Sequence, residues 1–206
     1  MADPTVFVVD DDEAIRDSLE MLLKSVGLRV ETFGTARQFL ASHDAERPGC
    51  LLLDLRMPEM SGLELQDRLA KMDCLLPIIF ITGHGDVPAA VSAMQAGAID
   101  FIQKPFRDQD LLDRIQQAIE RDAKIRLVLR DRTKIRSRME RLTPREAEVM
   151  ELVVQGQANK AIAYDLELSE RTVEIHRARV MRKMEAESLP QLVQMVVRAR
   201  REPEST

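Results

Sequence analysis

The chain of 206 residues contains no tryptophan, a single tyrosine, Tyr164, and only two cysteines. Without aromatic rows it lacks the stacking platforms on which single-stranded nucleic acid is bound. Cys50 lies in an apolar run and Cys74 in an expected loop, with no C-x-x-C spacing, so a zinc or dithiol centre is excluded and Cys50 reads as a small core hydrophobe. No stretch approaches the roughly 18 apolar residues that span a bilayer. Met1-Ala2-Asp3-Pro4 opens on an acid rather than on a basic and apolar signal region, so a cytoplasmic protein with no membrane partner is expected. A G-x-x-x-x-G-K-[ST] loop is also missing, which removes a P-loop nucleotide hydrolase.

Charge is unevenly placed. Residues 1–122 carry 12 Lys+Arg against 22 Asp+Glu, residues 123–140 carry 7 against 2, and residues 141–201 carry 11 against 9. An acidic first part, a basic connector and a mildly basic last part are hidden inside a formal net charge of -5.

In the first part, strand-like runs alternate with helix-like ones. Strands are predicted at 5–9, 28–32, 50–54, 77–81 and 99–102, and helices at about 15–26, 35–43, 62–71, 87–96 and from Asp108 onward. Five such βα units imply right-handed crossovers and a parallel, doubly wound sheet covered on both faces, which suits the continuous runs Leu51-Leu52-Leu53 and Ile78-Ile79-Phe80-Ile81. Polar residues stand where these runs end: Asp10 and Asp11, Asp54, Thr82, and Lys104-Pro105. In an open parallel sheet, ligands gather at the carboxyl ends of the strands, so these groups can meet although nearly a hundred residues separate them.

A carboxylate accepts a phosphoryl group when the incoming charge is neutralised. Asp10, Asp11 and Asp54 offer hard oxygen ligands for one Mg²⁺. Lys104 supplies a point charge for phosphate oxygens, the Thr82 hydroxyl supplies a donor, and Phe101 supplies a ring able to repack. Singly, each residue has a plainer reading, since a lone Asp before a turn is more often a cap than a nucleophile. Their joint placement at four strand ends argues against coincidence. A rival is a phosphatase of the haloacid-dehalogenase type, which places a second Asp two residues after the nucleophile; here that position is Arg56. His84, in Gly83-His84-Gly85-Asp86, reads as a loop residue near the site.

Together, Val-Val-Asp10-Asp11, Leu-Asp54-Leu-Arg-Met-Pro58, Ile-Thr82-Gly83 and Lys104-Pro105-Phe106 resemble the receiver domain of bacterial two-component response regulators, with its flavodoxin-like fold. The resemblance implies that Asp54 is the phosphoacceptor and that Asp10, Asp11, Asp54 and the Arg56 carbonyl hold Mg²⁺. It also implies that Thr82 and Phe101 are a switch pair, with Lys104 on the phosphate and preceding a cis Pro105. The third acid, Asp12, is then a helix-start residue at a positive dipole end.

From Asp108 to about Glu140 no helix breaker occurs, and the apolar spacing predicts one long helix. Its basic stretch, 123–140, is open to four readings: a solvated linker, a coiled-coil seam, a set of phosphate contacts, or a surface docking on the acidic first domain. Thr143-Pro144-Arg145-Glu146 is a capping box with proline at the first helical position, and it starts a separate domain at about residue 141. Helices are expected from Pro144 to Gly156, from Asn159, from 170 to 184 after the Ser169 cap, and from 189 to 197. The second and third match a helix-turn-helix, whose second helix enters the DNA major groove. This all-α domain of four helices, 141–206, resembles the LuxR-type DNA-binding domain in Leu142-Thr-Pro-Arg-Glu, Asn159-Lys160-Ala-Ile-Ala, Arg171-Thr172-Val173-Glu174-Ile-His176 and Lys183-Met184.

Residues placed near bases are Arg171, Glu174, Ile175 and Ala178; Lys160, Arg177, Arg179 and Lys183 are placed on phosphates, and Thr172 is a further DNA-binding residue. His176 reads as a packing residue. The whole chain is similar to regulators of the FixJ type. That resemblance implies a FixL-like sensor histidine kinase as partner, a homodimer when phosphorylated, double-stranded DNA and RNA polymerase as further partners, and control of nitrogen-fixation or microaerobic respiration genes. A phosphorylation-independent DNA binder is the other non-enzymatic reading. No enzyme activity beyond self-phosphorylation and autodephosphorylation is expected.

Overall fold

The computed structural model describes residues 3–83 and 87–200, and its contacts divide the chain into two compact units, 1–126 and 127–206. In the first unit five strands, β1 (Thr5–Val9), β2 (Arg29–Phe33), β3 (Gly49–Asp54), β4 (Ile78–Thr82) and β5 (Asp100–Gln103), form a parallel sheet in the order β2-β1-β3-β4-β5. The helices are α1 (Glu13–Ser25), α2 (Ala36–Ser42), α3 (Gly62–Lys71), α4 (Val87–Gln95) and the first part of α5 (Asp108–Glu140).

Successive strand residues point to opposite faces, and both faces are dry. Val6, Val8, Cys50, Leu52, Ile79 and Ile81 pack with Leu19 and Leu23 of α1 and Leu111 and Ile115 of α5. Phe7, Val9, Leu51, Leu53 and Phe80 pack with Phe39 of α2, Leu65 and Leu69 of α3 and Ala93 of α4. The inner strands β1, β3 and β4 are therefore apolar without alternation, whereas the edge strands β2 and β5 are only partly buried.

β4 begins one residue later than the sequence pattern suggests, because Pro77 has no N–H for the ladder and contributes only its carbonyl, to Leu51 N at 2.8 Å. Two N-terminal caps fix where helices leave the sheet. Asp12 accepts from Ala14 N at 2.9 Å at the head of α1, and Ser61 and Glu64 form a reciprocal capping box at the head of α3.

Near the middle of α5, Asp122 is fully buried and accepts from Gly49 N at 3.0 Å and from Arg126 Nε. The Arg126 guanidinium in turn donates to the carbonyls of Ala45, Glu46 and Arg47. These residues tie the last turn of the unit to the start of β3.

The second unit begins within α5 and continues through α6 (Pro144–Val154), α7 (Asn159–Asp165), α8 (Glu170–Met184) and α9 (Leu189–Arg200). Its core joins Ile135 of α5 to Val149, Met150 and Val153 of α6, Ile162 of α7, Val173, Val180 and Met184 of α8, and Leu192 and Val196 of α9. Arginines of the basic stretch serve helix ends here. Arg138 donates to Met184 O, the last residue of α8, and pairs with Glu185; Arg136 donates to Ala199 O near the end of α9. Cations at carboxyl ends complement the helix dipole and satisfy orphan carbonyls. The basic stretch is therefore not a solvated run throughout.

Candidate functional site

Parallel register sets the geometry at the carboxyl ends of the strands. Val9 pairs with Leu53, so Asp10 and Asp54 emerge from neighbouring strands; Asp54 pairs with Ile81, and Thr82 with Gln103. Lys104 N donates to Thr82 O at 2.7 Å, which brings Lys104 beside the end of β4. Its ammonium then reaches Asp10 Oδ2 at 2.7 Å and Asp54 Oδ1 at 3.2 Å. The other oxygens of both acids accept main-chain donors, Asp12 N to Asp10 Oδ1 at 2.9 Å and Arg56 N to Asp54 Oδ2 at 2.7 Å.

Asp10 is 3% exposed and Asp54 9%, so two carboxylates share one ammonium in a poorly solvated place. Burial pushes the Asp54 carboxyl above the ordinary Asp range; the Arg56 N–H and Lys104 oppose this, and the charge of Asp10 adds to it. Burial disfavours the Lys104 ammonium, but its bonds to Asp10 and Asp54 outweigh that cost and hold its pKa above the usual Lys value. Asp54 is thus a carboxylate of raised pKa with an ammonium already at one oxygen.

Asp11 follows on the main chain but is exposed. Among the described residues no three Asp, Glu, His or Cys side chains converge in a metal-binding arrangement. The two carboxylates that do meet, Asp10 and Asp54, nevertheless offer hard oxygen donors of the kind a hard cation takes. Thr82 is buried at the end of β4. Phe101 is half-buried, and its ring centroid lies 6.4 Å from that of Phe80. The Lys104–Pro105 peptide is cis. His84 lies outside the described residues.

Two residues of this site are not evident from the sequence pattern. Gly62 opens α3 directly beneath Asp54: a Cβ built on it would lie 2.3 Å from Asp54 O and 2.9 Å from the Phe80 ring, so only glycine fits without movement. Its one sequence signal is its place after Ser61 at the head of an apolar-periodic run. Arg16, on α1, donates to the main-chain carbonyls of Asp10 and Asp11, and nothing in its spacing announces those acceptors.

In the second unit, α7 and α8 meet through the tight turn Leu166–Ser169, with Glu167 in the left-handed region at φ 53°. Ser169 caps α8 by accepting from Thr172 N at 3.1 Å, and its hydroxyl also bonds that of Thr172 at 2.7 Å. Val173, Val180 and Met184 face the core, which leaves Arg171, Glu174, Ile175, Ala178 and Arg179 exposed on α8 and Lys160 exposed on α7. Arg177 donates to Asn159 Oδ1 at 2.6 Å, joining the two helices. Lys183 is engaged internally, its ammonium 2.6 Å from Glu146 Oε2 and 3.0 Å from Arg141 O. Glu146 is itself 2% exposed; burial would raise its pKa, but Lys183 and the Thr143 donors hold it below the usual Glu value. His176 is half-buried.

Comparison with known proteins agrees with both halves of this picture. The model of the response regulator receiver domain matches residues 6–116, and that of bacterial regulatory proteins of the luxR family matches 140–196. Nodulation protein W of Bradyrhizobium diazoefficiens is 51% identical, over 92% of this chain and 84% of that protein. Transcriptional regulatory protein FixJ of Rhizobium meliloti is 49% identical, over 96% and 97%. Among solved structures, the response regulator StyR aligns with a TM-score of 0.88 at 46% identity, covering 95% of this chain and 99% of that one. Full-length FixJ from B. japonicum aligns with a TM-score of 0.60 at 42% identity, covering 97% and 98%.

Proposed function

The chain belongs to the two-component response regulators in which a receiver is followed by a luxR-family DNA-binding domain, and from that membership we propose a transcription regulator switched by phosphorylation of Asp54. The observation that carries this reading is the bridge from Lys104 to both Asp10 and Asp54 at the carboxyl ends of the strands. It gathers an acceptor, a counter-charge and a second acid at one point.

A sensor histidine kinase, FixL-like by the chain's resemblance to regulators of the FixJ type, supplies the phosphoryl group. A carboxylate oxygen of Asp54 attacks phosphorus as the P–N bond to histidine breaks, the electron pair stays on the imidazole nitrogen, and an acyl phosphate forms. Asp10, Asp11, Asp54 and the Arg56 carbonyl would hold Mg²⁺, which when bound neutralises charge on the phosphoryl oxygens. Lys104 exchanges its carboxylate partners for a phosphoryl oxygen, and the Thr82 hydroxyl donates to another. About 1.5 to 2 units of added negative charge, with three acceptor oxygens, are enough to draw in both donors. Movement of Thr82 leaves room for Phe101 to repack toward Phe80.

The surface so altered is formed by α4 and β5. Val87, Val91 and Met94 of α4 are exposed apolar side chains there, which suits an isologous homodimer. Two such chains present two α8 helices to a roughly palindromic double-stranded site. Arg171, Thr172, Glu174, Ile175 and Ala178 lie toward bases, and Lys160 and Arg179 toward phosphates; bound DNA then offers the regulator to RNA polymerase. The likeness to FixJ and to Nodulation protein W supports nitrogen-fixation or microaerobic respiration genes as the class of targets.

Incubation with Mg²⁺ and a small phosphodonor tests the acceptor directly. Wild type should gain one phosphoryl group per chain in a phosphate-affinity gel and Asp54→Asn none. Labelling of Asp54→Asn, or continuous phosphate release from phosphomonoesters, would contradict the reading.

A further inference from the structure

Arg16 stands six residues after Asp10, near the head of α1, and its side chain folds back toward the end of β1. One atom, Nη1, donates to Asp10 O at 2.8 Å and to Asp11 O at 3.0 Å. The guanidinium also lies beside the loop after β2, where a Cβ built on Gly34 would be 3.5 Å from Cζ and Nη1. Further along the same turn, Asp12 N bonds Asp10 Oδ1 and the Asp12 side chain caps α1.

This arrangement has a particular chemistry. Two adjacent acids repel each other and any common approach, so their main chain needs an external hold. Arg16 provides it through charge-assisted bonds to the two carbonyls, which occupy no carboxylate oxygen of either acid. The hold is also local: Arg16 is no partner in the Lys104 bridge, and the sheet ladder is made by other groups.

We propose that Arg16 is a positioning residue for the divalent-cation site, fixing the two carbonyls so that Asp10 and Asp11 leave the main chain toward a shared ion. The inference rests on the assignment of Asp10, Asp11 and Asp54 as the cation's ligands. Its test exploits a sign. Arg16 is positive, so by Coulomb's law alone its removal would tighten Mg²⁺ binding; removal of a residue that orients ligands weakens it, commonly by roughly 10-fold or more.

Mg²⁺ is titrated calorimetrically into the unphosphorylated full chain of wild type, Arg16→Met, Arg16→Lys and Asp10→Asn, with folding checked by circular dichroism without metal. Binding roughly 10-fold weaker in Arg16→Met, and intermediate in Arg16→Lys, is the expected result. Equal or tighter binding in folded Arg16→Met overturns the positioning role. Should Arg16→Met fail to fold, Arg16→Lys decides: weaker binding than wild type supports the role and equal binding overturns it. Failure of wild type to bind Mg²⁺, or unchanged binding in Asp10→Asn, is a separate result that overturns the cation-site assignment and the role of Arg16 with it.

Discussion

Gly62 presses against the main-chain carbonyl of Asp54 so closely that a methyl group in its place would lie 2.3 Å from that oxygen. The approach seats the start of α3 against the end of β3 at Asp54. Gly62→Ala is expected to destabilise the first unit by about 1–3 kcal/mol, the usual range for overpacking, and to slow labelling of Asp54 by a small phosphodonor. Urea unfolding and a labelling time course measure the two effects; an unchanged midpoint together with an unchanged rate would show that the backbone relaxes freely.

Among the described residues, Lys104 donates to both Asp10 and Asp54. Lys104→Met should lower stability at pH 7 by roughly 1–3 kcal/mol, because two buried acceptors lose a charged donor. The deficit should shrink on acidification. Asp54 already has a raised pKa in the folded state, so its ionisation opposes folding as pH rises through that value, and loss of Lys104 raises it further. Denaturation at pH 7 and pH 5 tests this, and an equal deficit at both would contradict it.

Much of the first unit is legible in its sequence because β1, β3 and β4 are buried on both faces, which leaves uninterrupted apolar runs with polar residues at their ends. What escapes reading depends on where distant main chain arrives. The acceptors of Arg126 are carbonyls of residues 45, 46 and 47, and those of Arg136 and Arg138 belong to Ala199 and Met184. No local pattern announces such partners, so these arginines looked like a basic run. Lys183 illustrates the same limit on α8, where its spacing suggested phosphate contact and its ammonium instead meets the buried Glu146.

For the Glu146–Lys183 pair, the lowered pKa of Glu146 means stability that is full above the ordinary Glu value of 4.5 and is lost as pH falls through the folded value. Glu146→Gln should cost the second unit about 1–2 kcal/mol at pH 7, combining a weakened cap with a lost charged bond, and its stability should vary less between pH 5 and pH 3 than that of wild type. Thermal melts over that range test it. Equal pH dependence would show that the pair is not ionised as described.

Base and phosphate contacts should separate on salt titration. Arg171→Ala is expected to cost roughly 1–3 kcal/mol at one base position and relax specificity there. Lys160→Ala should weaken binding to all sequences and lower the salt slope by about 1. Lys183→Met should leave that slope unchanged, because its charge is engaged within the unit. A reduced slope in Lys183→Met would place it on the DNA.

The coupling between the two units is tested most directly by operator affinity, measured at fixed salt with and without a small phosphodonor and Mg²⁺, on wild type and Asp54→Asn. Wild type is expected to bind at least tenfold more tightly when phosphorylated, about 1.4 kcal/mol, with Asp54→Asn unresponsive. Equal affinity in all four conditions would contradict a phosphorylation switch while leaving the receiver and DNA-binding folds untouched.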